Sequence, residues 1–168
     1  ENVSADIVEE EIDTLRKQLA SAEKSIHRLI YATKPLSKAV HLSGTARIKL
    51  RVASNKPAAN LSVWLVSLPW TDSRNINDNI ITRGWADPQN HASLTGPCVF
   101  EEGDEGSRYY VSSEGGQPLT PGEAVTLSFD LEPDDQIIPK GARIGLMVFS
   151  SDRDFTLWPE PGTELTVD

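Results

Sequence analysis

Residues 46–52 read Ala-Arg-Ile-Lys-Leu-Arg-Val, so that Ala46, Ile48, Leu50 and Val52 alternate with Arg47, Lys49 and Arg51. A period of two places the apolar set on one face of an extended strand and the cations on the other, giving a strand with one dry and one solvated side. Residues 124–131 repeat the pattern, with Val125, Leu127, Phe129 and Leu131 alternating with Ala124, Thr126, Ser128 and Asp130. Residues 61–68 and 144–149 are instead apolar at nearly every position except Ser62, Ser67 and Gly145, which is the signature of strands covered on both faces. Shorter strands are expected at 28–32, 40–42, 80–83, 109–112 and 164–167. Turn signals separate them: Ser43-Gly44, Asn55-Lys56-Pro57, Gly115-Gly116, Pro121-Gly122, Lys140-Gly141 and Pro161-Gly162. About eight or nine strands with no helix-length segment between them make the expected class mainly β, an antiparallel sandwich rather than a parallel α/β sheet. The jelly roll is the leading topology.

The N-terminal stretch has a different rhythm. Val8, Ile12, Leu15, Leu19, Ala22 and Ile26 recur at steps of four and three, one face of a helix. Asp6 with Glu9 has the form of an N-terminal cap, and Arg16, Lys17 and Lys24 follow the early acids, complementing the helix dipole. The spacing predicts one amphipathic helix over 6–24, and hence a helical connector at 1–25 followed by a sandwich at 26–168. A lone helix of this length is marginal in water, so its apolar stripe needs a partner: its own sheet, a neighbouring domain, or a second copy in a homo-oligomer.

The chain has 168 residues, enough for one core rather than two. Its formal net charge of −9 opposes phosphate backbones and anionic lipid surfaces, so neither nucleic acid nor membrane is an expected partner. The apolar runs are far shorter than the roughly 20 residues of a membrane span. A single cysteine, Cys98, allows no internal disulfide and leaves the choice between a cytoplasmic and a secreted protein open. The first residue is Glu1 rather than Met, which is read as a sign of a piece cut from a longer protein.

Catalytic chemistry is hard to find. His27, His41 and His91 have no metal-ligand spacing, no G-x-S-x-G elbow occurs, and no glycine-rich phosphate loop is present. Neither a metal nor another cofactor is expected. Glu101, Glu102, Asp104 and Glu105 lack the spacing of a calcium loop and read as a solvated acidic segment within the long connection 95–117. Four tryptophans stand out. Trp64 lies inside an apolar strand, whereas Trp70, Trp85 and Trp158 fall at strand ends or in loops, where a ring seals a core edge, meets another domain or stacks on a sugar. In the run Thr82-Arg83-Gly84-Trp85-Ala86-Asp87-Pro88, Gly84 permits close backbone approach or a positive φ, and Arg83 with Asp87 is a candidate ion pair. The run fits a rigid corner or an interdomain anchor, because Arg and Trp suit polar-rimmed contacts.

Several stretches taken in order carry a resemblance: RLIYATKPL at 28–36, HLSG at 41–44, AANLSVWLVSLPW at 58–70 and ITRGWADPQNHASL at 81–94. LTPGE at 119–123, FDLEPDDQIIP at 129–139, GARIGLM at 141–147 and SSDRDFTLWP at 150–159 continue it. The series resembles the C-terminal β-domain of bacterial Xaa-Pro dipeptidyl-peptidases, relatives of cocaine-esterase-type acyl hydrolases, from about residue 28 to the end. The resemblance implies a galactose-binding-like jelly roll attached to an α/β-hydrolase domain, in a parent that releases Xaa-Pro dipeptides from its peptide substrates through a Ser-His-Asp triad. That triad precedes the domain in the family, so no catalytic residue is assigned here. The helix at 6–24 and the acidic segment are not matched by the resemblance. The alternatives kept are the C-terminal domain of a related acyl esterase and an autonomous carbohydrate-binding module.

Overall fold

The structure is a computed structural model that describes residues 27–70, 79–94, 116–150, 152 and 155–168. The helix expected over 6–24, the connector at 1–25 and the strand expected at 109–112 lie outside the described residues. Among the described residues there are nine strands: β1 (Arg28–Ala32), β2 (Val40–Gly44), β3 (Arg47–Ser54), β4 (Leu61–Leu68), β5 (Ile80–Ala86), β6 (Ala124–Asp130), β7 (Asp134–Ile138), β8 (Arg143–Phe149) and β9 (Leu165–Val167). They form a four-stranded sheet in the order β1-β8-β4-β5, a three-stranded sheet β6-β3-β9 and a two-stranded ladder β2-β7, all antiparallel.

The period-two strands behave as their sequences require. β3 pairs with β6 so that Ile48 faces Phe129, Leu50 faces Leu127 and Val52 faces Val125. These side chains turn inward to meet Leu61, Val63, Ala86 and Val148 of the four-stranded sheet, forming the main core between two layers. On the solvated side Arg47 makes a two-point contact with Asp130, at 2.7 and 3.2 Å. Arg51 meets Asp168 at 2.9 Å. Such exposed pairs fix register more than they stabilise, contributing at most about 1 kcal/mol each.

The runs at 61–68 and 144–149 become the two central strands, β4 and β8, and are apolar on both sides for that reason. One side joins the main core. The opposite side carries Trp64, Val66, Met147 and Phe149, packed with Ile80 and half-buried Ile30, Leu68 and Trp70. Gly145 sits under this second cluster, where a Cβ would meet Val66 Cγ2 at 3.0 Å and Leu68 Cδ1 at 3.1 Å. A third cluster of Ile81, Ile138 and Ala142 joins the β2-β7 ladder to the rest.

Two regions depart from the sequence expectation. β5 runs on to Ala86 instead of ending at Arg83, and then turns into a 3-10 turn at Pro88–Asn90 and a single helical turn at His91–Leu94. β7 forms from Asp134-Asp135-Gln136-Ile137-Ile138, a stretch too acidic to register as a period-two strand. It is recruited by β2, opposite which His41 Nε2 lies 2.7 Å from Asp135 Oδ1 while Ser43 Oγ donates to Asp135 Oδ2 at 2.8 Å. These contacts, His41 first and then Ser43, hold the Asp135 carboxyl below its usual range. A depressed folded-state value means that this fastening is present at neutral pH and is lost as pH falls through the lowered value. No helix among the described residues is long and apolar enough to cross a membrane.

Candidate functional site

Antiparallel pairing of β4 with β5 sets Trp64 opposite Arg83 and Ser62 opposite Trp85. Strand alternation sends these four side chains to the face turned away from the main core. Just past β8, Asp152 folds back over that face and is 2% exposed. Its Oδ2 accepts a hydrogen bond from Trp64 Nε1 at 2.9 Å and a second from Trp85 Nε1 at 3.2 Å. The Trp64 ring meets the Phe149 ring edge-on at 5.0 Å between centroids, which fixes the indole. Phe155 stacks on Trp85 at 4.8 Å. The Arg83 guanidinium lies 4.9 Å from the Phe155 centroid and 5.9 Å from that of Trp64, so it bridges the two rings through their negative faces.

The backbone around Asp152 is closed as tightly as its side chain. The amides of Phe155 and Thr156 donate to the Asp152 carbonyl at 3.0 and 2.8 Å, and Thr156 Oγ1 accepts from the Asp152 amide at 3.2 Å. Further on, Asn60 Nδ2 donates to the Leu157 carbonyl. The described part of this segment, Asp152 and residues 155–158, is thus pinned at its start to β4 and β5 and near its end to the β3-β4 connection. What it presents outward is apolar: Phe155 is 55%, Leu157 86% and Trp158 63% exposed.

The residues singled out from sequence do not all meet. Arg83 and Trp85 belong to the cluster around Asp152, and Trp158, three residues after Phe155, is exposed. Trp70 is half-buried against the second apolar cluster. Asp87 is elsewhere: its carboxylate accepts from the Gln89 amide at 2.9 Å and from Asn90 Nδ2 at 2.8 Å, capping the 3-10 turn in which Pro88 occupies the first turn. The expected Arg83–Asp87 ion pair therefore does not form. Strand alternation places Arg83 on the outer face, and the turn amides take up the Asp87 oxygens. Gly84 serves close approach and not positive φ, since a Cβ there would come within 2.7 Å of Leu131 Cδ2. Glu101, Glu102, Asp104 and Glu105 lie outside the described residues.

Sequence reasoning missed Asp152 and Phe155. Both stand in the quoted run SSDRDFTLWP, but an acid after an apolar strand reads as a surface charge. Only the fold brings two indole donors to it. The one available signal was an aromatic-rich segment immediately following a central strand.

This arrangement is an anchor. Asp152 is occupied by indole donors, and among the described residues no three of His, Cys, Asp and Glu gather as a metal would need. The His91 ring contacts the Pro88 carbonyl at 3.1 Å. Ser62, opposite Trp85, is 0% exposed and its hydroxyl has no partner. Among the described residues that hydroxyl is hydrogen-bonded to no base. Replacing Ser62 with Ala removes an unsatisfied polar group, so the expected change is between none and about 1 kcal/mol of stabilisation, checked by denaturant unfolding. A loss above about 1 kcal/mol would show that the hydroxyl is bonded after all.

The described residues define the class: a two-layer antiparallel β-domain with a buried polar anchor around Asp152 and an apolar edge displayed beside it. Comparison with known proteins gives the particular assignment. The family model described as "X-Pro dipeptidyl-peptidase C-terminal non-catalytic domain" matches residues 5–168, and the chain belongs to that family. A protein of Rhodopirellula baltica bearing the name Xaa-Pro dipeptidyl-peptidase is 59% identical over 152 residues, which is 89% of this chain and 21% of its own length. One of the same name from Bacillus cereus is 32% identical, covering 84% of this chain and 20% of its own. The chain therefore spans about a fifth of the curated relatives it matches. Among solved structures, a CocE/NonD family hydrolase of Staphylococcus aureus superposes with a TM-score of 0.57 at 17% identity, over 80% of this chain and 24% of the other. An α-amino acid ester hydrolase gives 0.56 at 15% identity, over 84% and 23%. At these identities the structural likeness is one of fold.

Proposed function

We propose that this non-catalytic domain is joined to an α/β-hydrolase domain within one longer polypeptide, and that the whole polypeptide releases Xaa-Pro dipeptides from peptide N-termini through a Ser-His-Asp triad outside residues 1–168. The sandwich packs on that catalytic domain and shapes its cleft or its assembly. Its topology is a galactose-binding-like jelly roll, a reading supported by the central pairing of strands far apart in sequence, β4 between β8 and β5. The observation that carries the proposal is the match over residues 5–168 to a non-catalytic domain family, in relatives a little over four times as long as this chain. The acidic residues Glu101, Glu102, Asp104 and Glu105 favour a cationic peptide N-terminus by their charge if they border the cleft. Exchanging 95–117 for a short Gly-Ser turn then lowers kcat/KM for cationic peptides alone, and an unchanged value rejects that role.

The test is an assay of the full-length polypeptide on matched Xaa-Pro and Xaa-Ala p-nitroanilides and on simple acyl esters. The expected result is a preference for proline of about a hundredfold or more in kcat/KM, a size that a shaped pocket can supply. Activity on acyl esters with none on Xaa-Pro substrates would favour a related esterase instead.

A further inference from the structure

Leu157 and Trp158 are neighbours in sequence, follow Phe155 by two and three residues, and stand with it among the exposed large hydrophobic side chains. A mobile tail tolerates such exposure because nothing holds it there. This turn is held: the Asp152 carboxylate and carbonyl fix one end and Asn60 fixes the Leu157 carbonyl at the other. The order is already in place and the apolar side chains are already aimed outward, which is the preorganisation that makes a contact surface strong for its size. Aromatic anchors with an arginine behind them are also the composition of interface hot spots.

We infer that Phe155, Leu157 and Trp158 form the docking edge that lies against the catalytic domain of the same polypeptide. The inference rests on the proposal that such a domain is covalently joined to this one. Its choice over a free partner follows from length, since the relatives extend about four-fifths beyond what this chain matches. A tethered domain is present at an effective concentration of about a millimolar, far above what a separate protein or a second copy reaches. It therefore occupies a preformed apolar edge first. Covering a side chain of the size of Leu157 contributes roughly 1.5–3 kcal/mol of apolar burial, and Trp158 adds more.

Hydroxyl-radical footprinting of the full-length polypeptide tests this without altering it. Trp64, 5% exposed, is the internal buried standard, and the urea-unfolded polypeptide is the exposed one. Trp158 is expected to react at least about fivefold more slowly in the folded polypeptide than in urea, as an interface core residue does. A rate within about twofold of the unfolded one, as its 63% exposure alone would give, overturns the inference. Protection that disappears on dilution belongs to a second copy and overturns it too. As a second measurement, Leu157→Asp, at a site too exposed to unsettle the fold, is expected to raise protease release of the C-terminal domain about tenfold. An unchanged release rate argues against docking here. Hydrolysis of Xaa-Pro substrates is scored separately: a polypeptide that shields Trp158 but leaves those substrates intact refutes the proposed substrate and leaves the docking edge standing.

Discussion

Replacing Asp152 with alanine is expected to destabilise this domain by about 2–4 kcal/mol, since it strips the acceptor from two indole donors at once. Trp64 Nε1 is buried and finds no water, so it bears the larger share, whereas half-buried Trp85 recovers part of its loss by hydration. For a domain of this size the corresponding fall in transition temperature is about 10 °C. Asp152→Asn keeps one acceptor oxygen in place and is expected to lose less than half as much. Calorimetry on the full-length polypeptide reads the shift, and the near-ultraviolet circular dichroism of the tryptophans reads the anchor itself. A change within about 0.5 kcal/mol for the alanine variant would mean that the indoles are not held by this carboxylate.

Gly84→Ala is expected to cost about 1–3 kcal/mol by overpacking. The added Cβ would stand 2.7 Å from Leu131 Cδ2, 3.1 Å from Leu131 Cα and 3.2 Å from the Asp130 carbonyl oxygen. The first of these atoms ends a side chain only 1% exposed, and the other two are backbone, so nothing nearby can step aside. β5 would have to part from the end of β6, where the Glu132 amide donates to the Arg83 carbonyl at 2.7 Å. The strain would fall beside Arg83 and Trp85 and loosen the anchor as well. Denaturant unfolding of Gly84→Ala beside Gly122→Ala, a glycine with a positive φ and open space around it, separates crowding from backbone strain.

The layers of the fold were legible where burial is one-sided or complete. β3 and β6 announce themselves because water lies on one side of each, and β4 and β8 because it lies on neither. β7 was not legible: Asp134 and Asp135 hide a strand whose pairing is decided by Leu42 and Ile138 packing beneath it. The cluster around Asp152 was half legible. Arg83 and Trp85 declare themselves by type, but a buried acid has no mark in sequence, since its burial depends on donors that arrive from β4 and β5, more than sixty residues away. Asp87 misled for the opposite reason. An arginine four positions earlier suggests a local pair, while the turn that Pro88 opens brings the Gln89 amide and Asn90 Nδ2 to the carboxylate instead.

The most direct measurement tests whether the catalytic serine of the proposed hydrolase lies outside this domain. The full-length polypeptide is treated with a fluorophosphonate, which esterifies only a serine activated by its own base, and the labelled peptide is identified by mass spectrometry. A single label is expected, on a serine outside residues 1–168, with Ser62 and every other serine of this domain unmodified. A stoichiometric label on any serine within these 168 residues would contradict the assignment of this domain as non-catalytic.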